Sequence, residues 1–203
     1  MVALPSLATC AAAGSPSAGL QAAAVGGPLE QHLERFLDGE PAAFEAIYQH
    51  LAPRLHKSLG LLTGDAHLAS DLVQTTFLKV IRAARTWQRG MSVEAWVWAI
   101  ARNALADERR RRSRRGETLT ADPALLESVP AEAPAQASLG PSVERALGQL
   151  PEAQREALLL LKVHDLSAKE AAAALGTTVG AIKMRAQRAC ESLRRLLTKE
   201  REP

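Results

Sequence analysis

"LSAKEAAAALGTTVGAIKMRAQRACESLRRLL", residues 166–197, decides the fold of this chain. Ser167 followed by Glu170 has the spacing of a capping box, in which each side chain satisfies a backbone N–H of the other's residue, so a helix begins there. Ala171, Ala172 and Leu175 give that helix an apolar face small enough for a second helix to approach closely. Gly176 ends it, because the left-handed backbone of a sharp turn costs glycine least. Thr178 supplies the next cap, and Ile182, Ala186, Ala189, Leu193, Leu196 and Leu197 keep one apolar stripe through the helix that follows. The pattern predicts a helix-turn-helix.

An ordinary helical hairpin has the same inner face, so the outer face must decide. Lys183, Met184, Gln187 and Arg188 project away from the stripe near the start of the second helix. A recognition helix presents that part of itself to base edges in the major groove. Arg188 has the fork for guanine acceptors, Gln187 the amide for adenine, and Met184 an apolar tip for a thymine methyl. Arg185, Arg194 and Arg195 are placed for phosphates, which give affinity without sequence information. Gly180, one turn in, costs about 1 kcal/mol relative to alanine. Its missing side chain would let backbone lie close to DNA.

Composition agrees with an all-helical chain. Of 203 residues, 47% are hydrophobic but only 3% aromatic, and the remainder is largely Ala and Leu, strong helix formers. The net charge of +3 hides an uneven distribution: "DERRRRSRR", residues 107–115, holds six arginines in nine positions, whereas residues 116–141 contain no Lys or Arg. An anionic partner at particular places follows. Cys10 and Cys190 have no paired spacing, which argues against a disulfide framework or zinc site and for a reducing, cytoplasmic compartment. No apolar run reaches the roughly 18 residues of a membrane span, so no membrane insertion is expected.

Upstream, four helices are expected between residues 29 and 112. The first runs from Leu29 to Leu37. In the second, Phe44, Ile47, Tyr48, Leu51 and Leu55 form one buried stripe, which Pro53 should bend or restart. Asp65 caps the third, whose inner face is Ala69, Leu72, Val73, Thr76, Phe77, Val80, Ile81 and Ala84. Asp71, Gln74, Thr75, Leu78 and Arg82 fall on another face, and Leu78 there is either a lone exposed leucine or part of a docking surface. The loop "TWQRGMS", residues 86–92, leads into the fourth helix, with Val93, Trp96, Val97, Ile100 and Ala104 inward. Trp98 lies off that stripe, where it could stack on a base or cover the domain's edge. Residues 116–141, with four prolines and several acids, read as a linker. Helices are expected over residues 142–150 and 151–163, with Pro151 in a first turn.

At this point the chain resembles the small extracytoplasmic-function (ECF) sigma factors of bacterial RNA polymerase, which consist of regions 2 and 4. "DLVQTTFLKVI" (71–81) is similar to the region 2 helix that meets the polymerase β′ clamp helices. "SVEAWVWAIARNALADERRRR" (92–112), above all its "IARN", looks like the segment that handles the −10 element, and "VGAIKMRAQRA" (179–189) like the −35 recognition helix. The resemblance covers about residues 33–115 and 142–197.

Its implications can be placed residue by residue. Core polymerase would be met by Asp71, Gln74, Thr75 and Leu78, with Thr75 standing where the family usually has an acid. The −10 element would be met by Gln88, Arg89, Gly90, Met91, Ser92, Trp98, Arg102, Asn103, Arg109 and Arg110. The loop from Gln88 to Ser92 would receive a flipped-out base, and Trp96 would be core. Thr178, Gly180, Lys183, Met184, Arg185, Gln187 and Arg188 would meet the −35 element. The implied organisation is a tail over residues 1–28, region 2 over 29–115, the linker, and region 4 over 142–203. Implied partners are core polymerase (β′ clamp helices and β flap), promoter DNA and an anti-sigma factor, with no cofactor and no metal.

Two rival classes remain to be weighed. An enzyme is disfavoured, because His32, His50, His56, His67 and His164 are scattered and no phosphate loop or nucleophile motif appears. His164, beside Asp165 at a helix end, is expected to cap. A helix-turn-helix regulator with a helical sensor domain would share the C-terminal motif, but would not need the exposed stripe at Asp71–Leu78 or the aromatic helix running into arginines.

Overall fold

The computed structural model describes residues 28–116 and 140–199, all helices and their turns, with no strand among the described residues. In chain order they are α1 (Pro28–Leu37), α2 (Pro41–Thr63), α3 (Ala66–Ala83), α4 (Val93–Arg114), α5 (Pro141–Gly148), α6 (Glu152–Lys162), α7 (Ala168–Leu175) and α8 (Val179–Lys199). A short 3-10 turn, Ala84–Thr86, extends α3. The expected tail, and most of the expected linker, lie outside the described residues.

The helix ends follow local chemistry. Asp65 accepts from the Leu68 N–H at 3.0 Å, Ser92 from Ala95 at 3.2 Å, and Thr178 from Ala181 at 3.1 Å. Ser167 and Glu170 form the reciprocal capping box, and Gly176 turns the chain at φ 59°. Each cap satisfies a donor that the first turn of a helix leaves over.

Pro53 neither breaks nor restarts its helix: α2 runs unbroken for 23 residues. The proline forfeits one backbone hydrogen bond. Its neighbours Leu51, Leu55 and Leu59, all fully buried, hold the helix through packing. Two further expectations are corrected at the boundaries. Pro151 is the N-cap of α6 rather than a first-turn residue, and Ile81 is 45% exposed instead of inward-facing, because α3 turns it away from α2 and α4. Tyr48 is likewise partly exposed, its ring laid edge-on against Phe77 at 4.7 Å.

Helices α1–α4 pack on one another, as do α5–α8, and the two groups then close together: α7 lies on α4, and α5 and α6 lie on α2. A single apolar core runs through both, from Leu33 and Leu59 to Leu159 and Ile182.

Candidate nucleic-acid and polymerase interfaces

The outer face of α8 is built as the sequence requires. Ile182, Ala186, Ala189 and Leu193 are buried, while Lys183, Met184, Gln187 and Arg188 are exposed on the opposite side. Gln187 donates to Glu191 at 3.0 Å, leaving the other three tips to solvent in the hydrogen-bond pattern of the described residues. Gly180 is exposed, and a Cβ placed there would meet nothing within 4 Å. Arg185 is half-buried, turned toward Glu156 of α6.

A second exposed stripe runs along α3. Asp71, Gln74, Thr75 and Leu78 are all exposed, Leu78 by 56%, and Ile81 continues the apolar part by one turn. Leu78 and Arg82 lie on the outer face as expected, whereas periodicity had assigned Ile81, three residues after Leu78, to the core.

The loop before α4 is preformed. Trp87 is buried beneath it, and its Nε1–H donates to the Met91 carbonyl at 3.2 Å. Gly90 takes φ 90°, a backbone that L side chains rarely adopt. Glu30 of α1 accepts from the Val93 N–H at 2.9 Å, and Arg89 pairs with Glu34 at 2.9 Å. These ties leave Gln88, Arg89 and Met91 on the surface.

The residues of α4 depart from expectation. Trp98, expected outside the core beside the basic tract, is 1% exposed, while Trp96, expected inside, is only half-buried. The cause is that α4 is covered on two sides, by α3 and by α7. The Trp98 ring packs at a tilt of 50° against His164, 4.8 Å between centroids. His164 does not cap its helix. It is 2% exposed, and its two ring nitrogens lie 2.9 Å from Ser58 Oγ and 2.8 Å from Glu94 Oε1. Asn103 and Arg110 stay exposed, with Arg110 paired to Asp107 one turn away. Arg102 and Arg109 are half-buried and face acids of α6: Arg102 meets Glu156 at 3.5 Å, and Arg109 pairs with Glu152. Sequence reading missed this pairing, although Glu152 and Glu156, four apart on one helix, complement two arginines seven apart on another.

Burial pushes the Glu156 carboxyl above its ordinary range, and Arg102 only partly opposes that. A raised folded-state pKa contributes stability that is full below the unfolded value and lost as pH rises through the folded one. Above the ordinary carboxylate range the ionised side chain is therefore a net cost. Glu156→Gln is expected to melt at a higher temperature than the parent at neutral pH, with the gap closing as the pH falls through the raised range to the ordinary carboxylate value. Thermal melts across pH check this, and a gap that widens on acidification would contradict it.

Comparison with known proteins matches two segments of the chain. The sigma-70 region 2 model matches residues 47–115, and the sigma-70 region 4 model matches residues 142–193. The chain is 35% identical over 165 residues to the RNA polymerase sigma factor CarQ of Myxococcus xanthus, covering 81% of this chain and 95% of that protein. It is 36% identical over 137 residues to the ECF RNA polymerase sigma factor EcfG of Rhodopseudomonas palustris, covering 67% and 75%. Among solved structures, the sigma factor RpoE in complex with the anti-sigma factor NepR, from Bartonella quintana, superposes with a TM-score of 0.61 at 29% identity, over 76% of this chain and 96% of that one. CnrH, solved with the cytosolic domain of CnrY, shares the fold at a TM-score of 0.64 and 24% identity, over 85% and 99%. Carrying both regions in this order, and aligned along nearly the full length of such a relative, the chain belongs to the ECF RNA polymerase sigma factors.

Proposed function

We propose that this protein binds core RNA polymerase and directs it to promoters, with region 4 (residues 142–203) reading the −35 duplex and region 2 (29–115) holding melted −10 bases. The observation that carries it is the exposed outer face of α8: Lys183, Met184 and Arg188 stand free of the core just past a glycine turn of the kind that sets a recognition helix across its neighbour. Support for polymerase docking comes from the exposed stripe Asp71, Gln74, Thr75 and Leu78 on α3. The loop from Gln88 to Ser92, fixed from below by Trp87, is suited to receive an extruded base, whose unstacking costs about a few kcal/mol. The chain acts by binding and not by catalysis, in the cytoplasm, and an anti-sigma factor of the kind seen bound to the related RpoE is its expected antagonist. No described helix is long and apolar enough to cross a membrane.

Run-off transcription with purified core polymerase and a promoter library tests the reading. Promoter-specific transcripts on adding the protein are expected; neither transcripts nor a complex with core would end it. Within α8 the roles separate. Arg188→Ala is expected to cost about 1–3 kcal/mol at favoured −35 sequences and to relax preference at one position. Arg194→Ala, an exposed residue two turns further on, should weaken all sequences alike and lower the salt slope by about 1. Equal losses across a duplex panel for both variants would refute this division.

A further inference from the structure

We infer that Glu191 is a positioning residue for base reading: it holds the Gln187 amide in the one orientation that suits adenine and refuses guanine. The inference rests on the promoter-reading function proposed above, and gives a part in it to a residue outside the expected contact set. Gln187 Nε2 donates to Glu191 Oε1 at 3.0 Å, one helical turn further along α8. Both side chains are exposed, on the side of α8 that carries Lys183, Met184 and Arg188.

Charge alone would not pair these two. Arg188, Arg194 and Arg195 each lie three or four residues from Glu191, within helical reach of its carboxylate. Among the described residues Glu191 forms an ion pair with none of them, and Arg195 donates instead to Ser192 Oγ at 3.2 Å. An acid on this face also works against DNA affinity, since it meets the same phosphates that the arginines attract. Its bond to a neutral amide is the contact that gives it a role.

A carboxylate only accepts, so it fixes which end of the amide faces it. The Nε2 end turns toward Glu191, because the reverse orientation sets Oε1 against a negative charge. One amide hydrogen is then engaged, and Oε1 and the second hydrogen remain side by side for a base. That is the acceptor-and-donor pair that adenine N6–H and N7 require. Guanine offers two acceptors, O6 and N7, so a fixed Oε1 would lie against O6 with no proton between them. Without Glu191 the amide is free to rotate and bring its NH2 group to either guanine acceptor. Discrimination between the purines therefore comes from Glu191, although Gln187 makes the contact.

The test presents promoter-length duplexes, randomised through the −35 region, to the full chain bound to core polymerase, and sequences what is retained. Gln187→Ala identifies the base pair that Gln187 reads, as the position where preference collapses; the parent should favour adenine there. Glu191→Ala should lower the adenine-to-guanine ratio at that pair by about two- to tenfold, the worth of one hydrogen bond, and leave other positions alone. Its affinity for unrelated duplex should hold or rise, because an acid has left the phosphate-facing side. Glu191→Gln should keep the parent's ratio, since its side-chain carbonyl still accepts from Gln187. A ratio unchanged in Glu191→Ala, or lost equally in Glu191→Gln, overturns the inference. So does a uniform loss of affinity over all duplexes, a base other than adenine at the Gln187 position, or no position responding to Gln187→Ala. In each of those cases a parent that still enriches −35 sequences leaves the promoter-reading function standing. A parent that enriches none removes that function and this inference together.

Discussion

Trp98→Ala is expected to lower stability by about 3–5 kcal/mol, the range for truncating a fully buried aromatic. In a chain of this size that is a fall of roughly 6–20 °C in melting temperature. The indole fills the space between α4 and the α6–α7 turn, where it touches the His164 ring. Removing it takes away contact area from both α4 and the α6–α7 turn and leaves a cavity that neither can close without shifting the other. Trp98→Phe should cost much less, since it keeps most of the contact and deletes the N–H that has no acceptor among the described residues. Trp96→Ala, at a half-buried site, should also cost less. Denaturant melts of the three variants rank these effects. A loss below about 1 kcal/mol for Trp98→Ala would place the side chain in water, against the arrangement described here.

Arg155→Ala should be comparably severe. This arginine is buried, and its guanidinium donates to the carbonyls of Leu61 at 2.5 Å, Gly148 at 2.8 Å and Leu150 at 2.9 Å. One side chain thereby ties the end of α2 to the turn between α5 and α6. Burial lowers its pKa, yet arginine remains charged at any working pH. Deleting it orphans two buried acceptors, at about 1–3 kcal/mol each, and a part-buried third, so a loss of about 3 kcal/mol or more is expected by chemical denaturation. Arg155→Lys should not restore it, because a single ammonium lacks the planar fork that spans three carbonyls. Full rescue by lysine would mean that charge, and not geometry, is what the site needs.

What was legible in the sequence was local. Ser167 with Glu170, Gly176, Thr178, Asp65 and Ser92 each act within a few residues of themselves, and each sits where its cap requires. The inner stripe of α3 was legible for the same reason, up to Ile81. Trp98 was not, because one apolar stripe marks one buried side, and α4 has two. Its second cover comes from residues far along the chain: His164 lies 70 positions from Glu94 and 106 from Ser58. Periodicity carries no information at that range. The same holds for Arg155, a charged residue on a helix whose surroundings give no hint that three carbonyls wait for it. Pro53 misled differently, since its local penalty was real but small beside the packing of the leucines around it.

The single core that runs through all eight helices carries a further consequence. Two halves that share apolar contacts and a buried arginine tie do not have separate stabilities. They form one cooperative unit, and heat would be absorbed in one transition with matching calorimetric and van't Hoff enthalpies. A destabilising change in α2, remote from every DNA-facing side chain, would then be felt in full by α8. Inherited variation in this chain could alter the amount of intact protein in a cell while leaving its choice of promoter untouched.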